Sequence, residues 1–133
     1  IFGKNFMKTM IKLGAKYNSL NIISDQIGSP TNALDLARVI LEILPKIKNS
    51  NVEIFNYSSE GVCSWFDFAN SIFEYTNKEI LVNPIKTSQY FTPAQRPLYS
   101  VLNKEKIKNE FAIEIPYWKE SLKEALSKLS KNG

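Results

Sequence analysis

The sequence predicts a single α/β domain with an incomplete sheet. Three observations carry that reading. Short β-branched runs alternate with longer stretches of helical periodicity, the junctions carry turn or capping chemistry, and 133 residues at 44% hydrophobic content suffice for one core but not two. Asn5 is placed to cap a first helix in which Phe6, Met10 and Leu13 recur at i, i+4 and i+7, with Gly14 near its end. Residues 20–24 form a short strand. The stretch Ser24-Asp25-Gln26-Ile27-Gly28-Ser29-Pro30-Thr31 then reads as a binding loop. Gly28 permits a backbone conformation closed to other residues, Pro30 sets the exit direction, and Thr31 caps a helix over 32–46. Such a turn presents Gln26, Ser29 and backbone N–H groups at a helix N-terminus, where an anion is stabilised. A plain strand-to-helix connection accounts for the same residues equally well.

The helix over 32–46 is apolar around most of its circumference, through Leu34, Leu36, Val39, Ile40, Leu41, Ile43 and Leu44, which predicts burial on more than one side. Residues 52–57 read as a second strand. Ser64 and Asp67 then form an acidic variant of the capping box, opening a helix through Trp65, Phe68, Ala69, Ile72 and Phe73. A third strand over 80–85 is interrupted by Pro84, which places it at an edge or a strand end. Residues 87–100 show no period. Pro93 and Pro97 stiffen this stretch and three aromatics give it something to pack with, which predicts a fixed loop over a site. A short helix over 103–111 follows, then Pro116 at the first position of a last helix that turns Trp118, Leu122, Ala125, Leu126 and Leu129 inward.

Composition excludes several kinds of chemistry. One cysteine, Cys63, rules out an intramolecular disulfide and a cysteine-built zinc site, and the absence of histidine removes the commonest metal ligand and general base, so no metal site is expected. The net charge of +4 does not signal nucleic acid, because the lysines are scattered and sit beside acids, as in Lys104-Glu105-Lys106. With no apolar run of about twenty residues and no signal-peptide pattern, neither a membrane partner nor secretion is expected, and the expected location is the cytoplasm. The opening Ile1-Phe2-Gly3, without an initiator methionine, is expected of a piece of something longer.

Of 17 basic residues only Arg38 and Arg96 are arginine. Arg38 lies on the apolar helix at pairing distance from Asp35 and Glu42. Arg96 lies between two prolines, where a planar five-donor fork can grip a phosphate or carboxylate at two points; a structural salt bridge is the alternative use. The five glycines nowhere approach G-x-G-x-x-G or a P-loop, and none of the six tyrosines has a lysine four residues later. The chain therefore carries neither a cofactor site nor a catalytic pair of its own, and no hydrolase constellation replaces them.

Several motifs together resemble a known family. These are Asn5-Phe6-Met7-Lys8-Thr9-Met10, Asp25-Gln26-Ile27-Gly28-Ser29-Pro30-Thr31, Ser64-Trp65-Phe66-Asp67-Phe68-Ala69, Thr92-Pro93-Ala94-Gln95-Arg96-Pro97 and Pro116-Tyr117-Trp118. In that order they are similar to the carboxy-terminal part of the dTDP-4-dehydrorhamnose reductases, extended short-chain dehydrogenases. The resemblance implies one substrate-binding domain over 1–133, with the Rossmann half that binds NADPH or NADH and carries the tyrosine-lysine pair lying outside it. It implies reduction of dTDP-6-deoxy-L-lyxo-4-hexulose to dTDP-L-rhamnose by the whole enzyme. It places Asn5, Gln26, Ser29 and Thr31 towards the nucleotide sugar and Arg96 on its diphosphate. Phe91 departs from a proline common in relatives and loosens the loop, and Val101 stands where some have arginine, which removes a secondary contact. Residues 1–133 alone are expected to be inactive and to self-associate through unpartnered apolar faces and a strand edge. The alternative is a non-catalytic regulatory or interaction module derived from the same family.

Overall fold

Residues 3–48 and 51–131 are described by the computed structural model. Helix α1, Phe6–Gly14, starts where expected, the Asn5 Oδ1 accepting from the Lys8 N–H at 2.9 Å. At its end Gly14 lets the helix approach α3, Trp65–Tyr75: a β-carbon there would stand 2.6 Å from the ring of Phe73. Strand β1, Ser19–Ile23, pairs in parallel with β4, Leu81–Ile85, setting Leu20 opposite Val82 and Ile22 opposite Pro84. Both strands lie within a residue or so of the expected positions, and a two-stranded sheet leaves Pro84 on an edge strand. Helices α1 and α5, Trp118–Lys131, pack with α3 and this sheet around Met10, Ala69, Ile72, Phe73, Val82, Trp118, Leu122 and Leu126.

A second pairing sets the site. Strand β2, Ile27–Gly28, runs antiparallel to β3, Cys63–Ser64. The Ser64–Asp67 box forms as expected: Ser64 Oγ accepts from the Asp67 N–H at 3.0 Å and the Asp67 carboxylate accepts from the Ser64 N–H at 2.9 Å.

Five expectations need correction. Gly28 does not use left-handed backbone; among the described glycines that conformation belongs to Gly3 and Gly61. Gly28 instead gives clearance in a strand, since a β-carbon would meet Ser100 Oγ at 3.0 Å. Thr31 is not the cap of α2, Ala33–Ile43. Asn32 is, through Oδ1 accepting from the Leu34 N–H at 3.0 Å, while the Thr31 hydroxyl turns back to donate to the Ser29 carbonyl. Helix α2 continues only as a 3-10 turn, Leu44–Lys46, around Pro45.

Helix α2 is not buried on more than one side: Asp35 and Val39, one turn apart, are its buried residues. Residues 52–57 do not pair as a strand, although their alternation is real. Phe55 and Tyr57 pack on the small cluster of Val39, Ile107, Phe111 and Ile113, which includes helix α4, Glu105–Phe111, while Val52 and Ile54 face solvent. A strand needs a ladder partner, and among the described residues this stretch has none. Pro116 precedes the last helix rather than opening it, because its carbonyl accepts from the Glu60 N–H at 2.9 Å and the Glu60 carbonyl accepts from the Trp118 N–H at 3.0 Å. That bridge holds the backbone extended through Tyr117.

Across α2 and α5, the buried Asp35 carboxylate accepts from Ser121 Oγ at 2.6 Å and from Arg38 at 3.0 Å. Arg38 also donates twice to Glu124, at 2.6 and 3.2 Å. The sequence pairing with Asp35 is thus present, whereas Glu42 accepts from Lys46.

Candidate functional site

Two turns and one loop meet at a single cleft of about 430 Å³, bounded by residues 26–30, the start of α3 and residues 96–100. The loop is fixed at both ends by hydrogen bonds. At its start the Asp25 carboxylate accepts from the Thr87 hydroxyl at 2.6 Å and from the Thr87 N–H at 2.9 and 3.0 Å, and these bonds hold the Asp25 carboxyl below its ordinary value. At its far end the Ile27 N–H donates to the Leu98 carbonyl at 2.8 Å and the Ser100 N–H donates to the Ile27 carbonyl at 2.9 Å. Between these two anchored ends the loop brings Arg96 and Pro97 to the cleft. Its aromatics do not anchor it: Phe91 is 93% exposed, and Tyr90 and Tyr99 are also exposed. Backbone pairing with β2 replaces aromatic packing, which explains why no hydrophobic period marks the segment.

Of the five residues that the sequence reading places at a ligand site, the cleft gathers Gln26, Ser29 and Arg96. Asn5 is occupied as the cap of α1, Thr31 is an exposed residue bonded to the Ser29 carbonyl, and neither lines the cleft. Trp65, Phe68, Ser64 and Ser100 line it without having been singled out as site residues. The signal was present in Ser64-Trp65-Phe66-Asp67, whose capping pattern accounts for the serine and aspartate but leaves an aromatic at the first helical position unexplained.

The polar groups of the cleft divide sharply. Gln26 is buried, donating to Thr87 Oγ1 at 3.1 Å and accepting from the Trp65 indole N–H at 3.2 Å. Ser29 Oγ donates to the Gly61 carbonyl at 2.7 Å, Ser64 Oγ donates to the Asp67 carboxylate, and Ser100 Oγ donates to the Ile27 carbonyl. Gly61 takes φ +79°, and a β-carbon there would collide with the ring of Tyr117, so Ser29 is tied to a turn that only glycine can make. Burial pushes the Cys63 thiol up to about 12, which keeps it neutral and unreactive.

Arg96 differs from all of these. It is exposed, it is the one charged side chain lining the cleft, and among the described residues no carboxylate pairs with it. The structural salt bridge is therefore not formed. Among the described residues no group of three or more acidic or cysteine side chains is placed to share a metal ion. Nor is any helix long and apolar enough to cross a membrane. The cleft offers a free guanidinium and an aromatic wall, which is the chemistry of binding an anion attached to something flat or apolar.

Comparison with known proteins agrees with this architecture. Residues 2–131 match the family described as RmlD substrate binding domain. The chain is 38% identical over 128 residues to the spore coat polysaccharide biosynthesis protein SpsK of Bacillus subtilis strain 168, covering 96% of this chain and 44% of that protein. It superposes on the dTDP-4-dehydrorhamnose reductase of Clostridium acetobutylicum ATCC 824 with a TM-score of 0.88 at 40% identity, over 96% of this chain and 45% of that one. For the dTDP-4-dehydrorhamnose reductase of Bacillus anthracis strain Ames, a complex with NADP, the TM-score is 0.82 at 36% identity, over 92% of this chain and 42% of that one. The chain thus spans less than half the length of these relatives. Fold, motif order and the match over nearly all its residues agree, and the chain belongs to the RmlD substrate binding domain family.

Proposed function

We propose that this chain is the substrate-side wall of a dTDP-4-dehydrorhamnose reductase, a cytoplasmic enzyme that reduces dTDP-6-deoxy-L-lyxo-4-hexulose to dTDP-L-rhamnose. The observation that carries the reading is Arg96, which pairs with no carboxylate among the described residues and lines a cleft without acidic lining, in a chain of a substrate-binding family. Arg96 grips the diphosphate through its fork, and Ser29, bonded to the Gly61 turn, shapes the loop beside it. Asn5 and Thr31 act at the margin, through the cap of α1 and the turn into α2. NADPH or NADH, and the groups that transfer hydride and proton, belong to a Rossmann half in the part of the relatives' length that residues 1–133 do not span. These residues alone would then be inactive. The exposed face of α2 and residues 52–57 are where that half would pack.

In the full-length protein that carries these residues, Arg96→Ala should raise KM for the dTDP-sugar far more than it lowers kcat, because a diphosphate contact remote from the hydride binds ground and transition states alike. The expected loss is roughly 1.5–3 kcal/mol, partly restored by Arg96→Lys. Steady-state kinetics with substrate and cofactor varied separately give the result. An unchanged KM accompanied only by a lower Tm removes the phosphate role.

A further inference from the structure

Gln26 makes the contacts of a support rather than of a ligand. It is 6% exposed, and both ends of its amide are engaged: with Thr87, itself clamped by Asp25, and with the indole N–H of Trp65. The Trp65 ring also meets Phe6, with centroids 4.8 Å apart, and Phe6 stacks on Phe68 at 5.6 Å and 17°. Trp65 is therefore restrained at its N–H by Gln26 and on its ring by Phe6, while it still lines the cleft. The hydroxyl protons of Ser29, Ser64 and Ser100 are all given to protein acceptors, so beside the guanidinium of Arg96 the cleft presents chiefly an aromatic wall. That surface suits a planar π-faced ring, which can stack on the indole.

We propose that Gln26 is a positioning residue that orients Trp65 as the stacking wall for a nucleobase whose phosphates reach Arg96. The proposal rests on the nucleotide-sugar reading above and adds to it the place of the base and the residue that holds its wall. A buried glutamine acceptor fixes the orientation of the indole, and a ring already in its bound orientation loses little freedom when a base stacks on it.

The test is a double-mutant cycle in the full-length protein carrying these residues, with thymidine diphosphate as the probe, read by calorimetry and by indole fluorescence. Gln26→Met keeps the length of the side chain and removes its acceptor. Trp65→Phe keeps a ring and removes the N–H. Thymidine diphosphate should quench an emission component that Trp65→Phe abolishes. Gln26→Met should weaken its binding about fivefold, but less than about twofold when Trp65 is already Phe. Equal losses in both backgrounds overturn the positioning role and leave the nucleotide-sugar reading standing. So does tight binding with no change in Trp65 emission, and this measurement on the unaltered protein decides the matter if Gln26→Met does not fold. Failure of thymidine diphosphate to bind at all overturns the reading on which the proposal rests.

Discussion

Helix α3 and helix α2 carry similar loads of apolar residues, mostly aromatic in α3 and all aliphatic in α2, yet α3 buries Ala69 and Ile72 completely while α2 leaves Leu41 71% and Ile40 44% exposed. The difference lies in the neighbours. Helix α3 is enclosed by α1, α5 and the β1–β4 sheet, so its apolar positions find partners on several sides. Helix α2 meets α5 through the Asp35, Arg38, Ser121 and Glu124 contacts and the small Val39 cluster through one stripe, and its other face stays open. Periodicity states how much apolar surface a helix offers; burial depends on what arrives to cover it. Ile47, Val52 and Ile54 are exposed as well, and under the proposal above these apolar side chains and the open face of α2 are where a partner would pack.

The comparison breaks most visibly by substitution. Ile72→Ala, at a fully buried site, should cost about 2–5 kcal/mol in denaturant unfolding, whereas Leu41→Ala should stay within about 0.5 kcal/mol. Both are read at a dilution where residues 1–133 do not associate, so a comparable loss at Leu41 would show that α2 is covered within the single chain. A smaller effect is expected from association. Residues 1–133 should self-associate at micromolar concentration through the open face, and Leu41→Lys with Ile54→Lys should shift light scattering towards monomer. Unaltered protein that remains monomeric over a hundredfold dilution range contradicts this.

The smallest effect sharpens the α2–α5 side. Hydrogen bonding by Arg38, with Lys128 beside it, holds the Glu124 carboxyl at about 2, below its ordinary 4.5. A carboxyl lowered in the folded state contributes stability above its unfolded value, and that contribution is lost as pH falls from about 4.5 towards about 2. The pair is substantially exposed, so solvent screening limits it to under about 1 kcal/mol. Glu124→Gln should lower the unfolding midpoint at pH 7 and in low salt, with the difference vanishing at the acid end of that window.

Much of the site was legible because its signals are local. The Ser64–Asp67 box that opens α3 beside the cleft and the arginine-bearing loop that reaches it each depend on residues a few positions apart. The bond between Gln26 and Trp65 was not legible, because it joins residues 39 positions apart and nothing in either segment names the other. Thr31 and Pro116 were misplaced for a related reason. Two polar candidates stood side by side at the start of α2, and the bridge at Glu60 that delays α5 is a long-range contact.

By itself the sequence determined the class of the fold, the approximate bounds of most helices and of strands β1 and β4, the isolation of Arg96 among lysines, and the family. These follow from periodicity, capping and composition, which act over a few residues. Only the tertiary structure decided that Asp25 anchors the loop, that Gln26 bonds to Thr87 and Trp65, and that among the described residues Arg96 finds no carboxylate and residues 52–57 find no strand partner. The physical reason is that a hydrogen-bonding side chain or a strand edge has many possible partners along a chain, and which one it meets is settled when the distant segments pack.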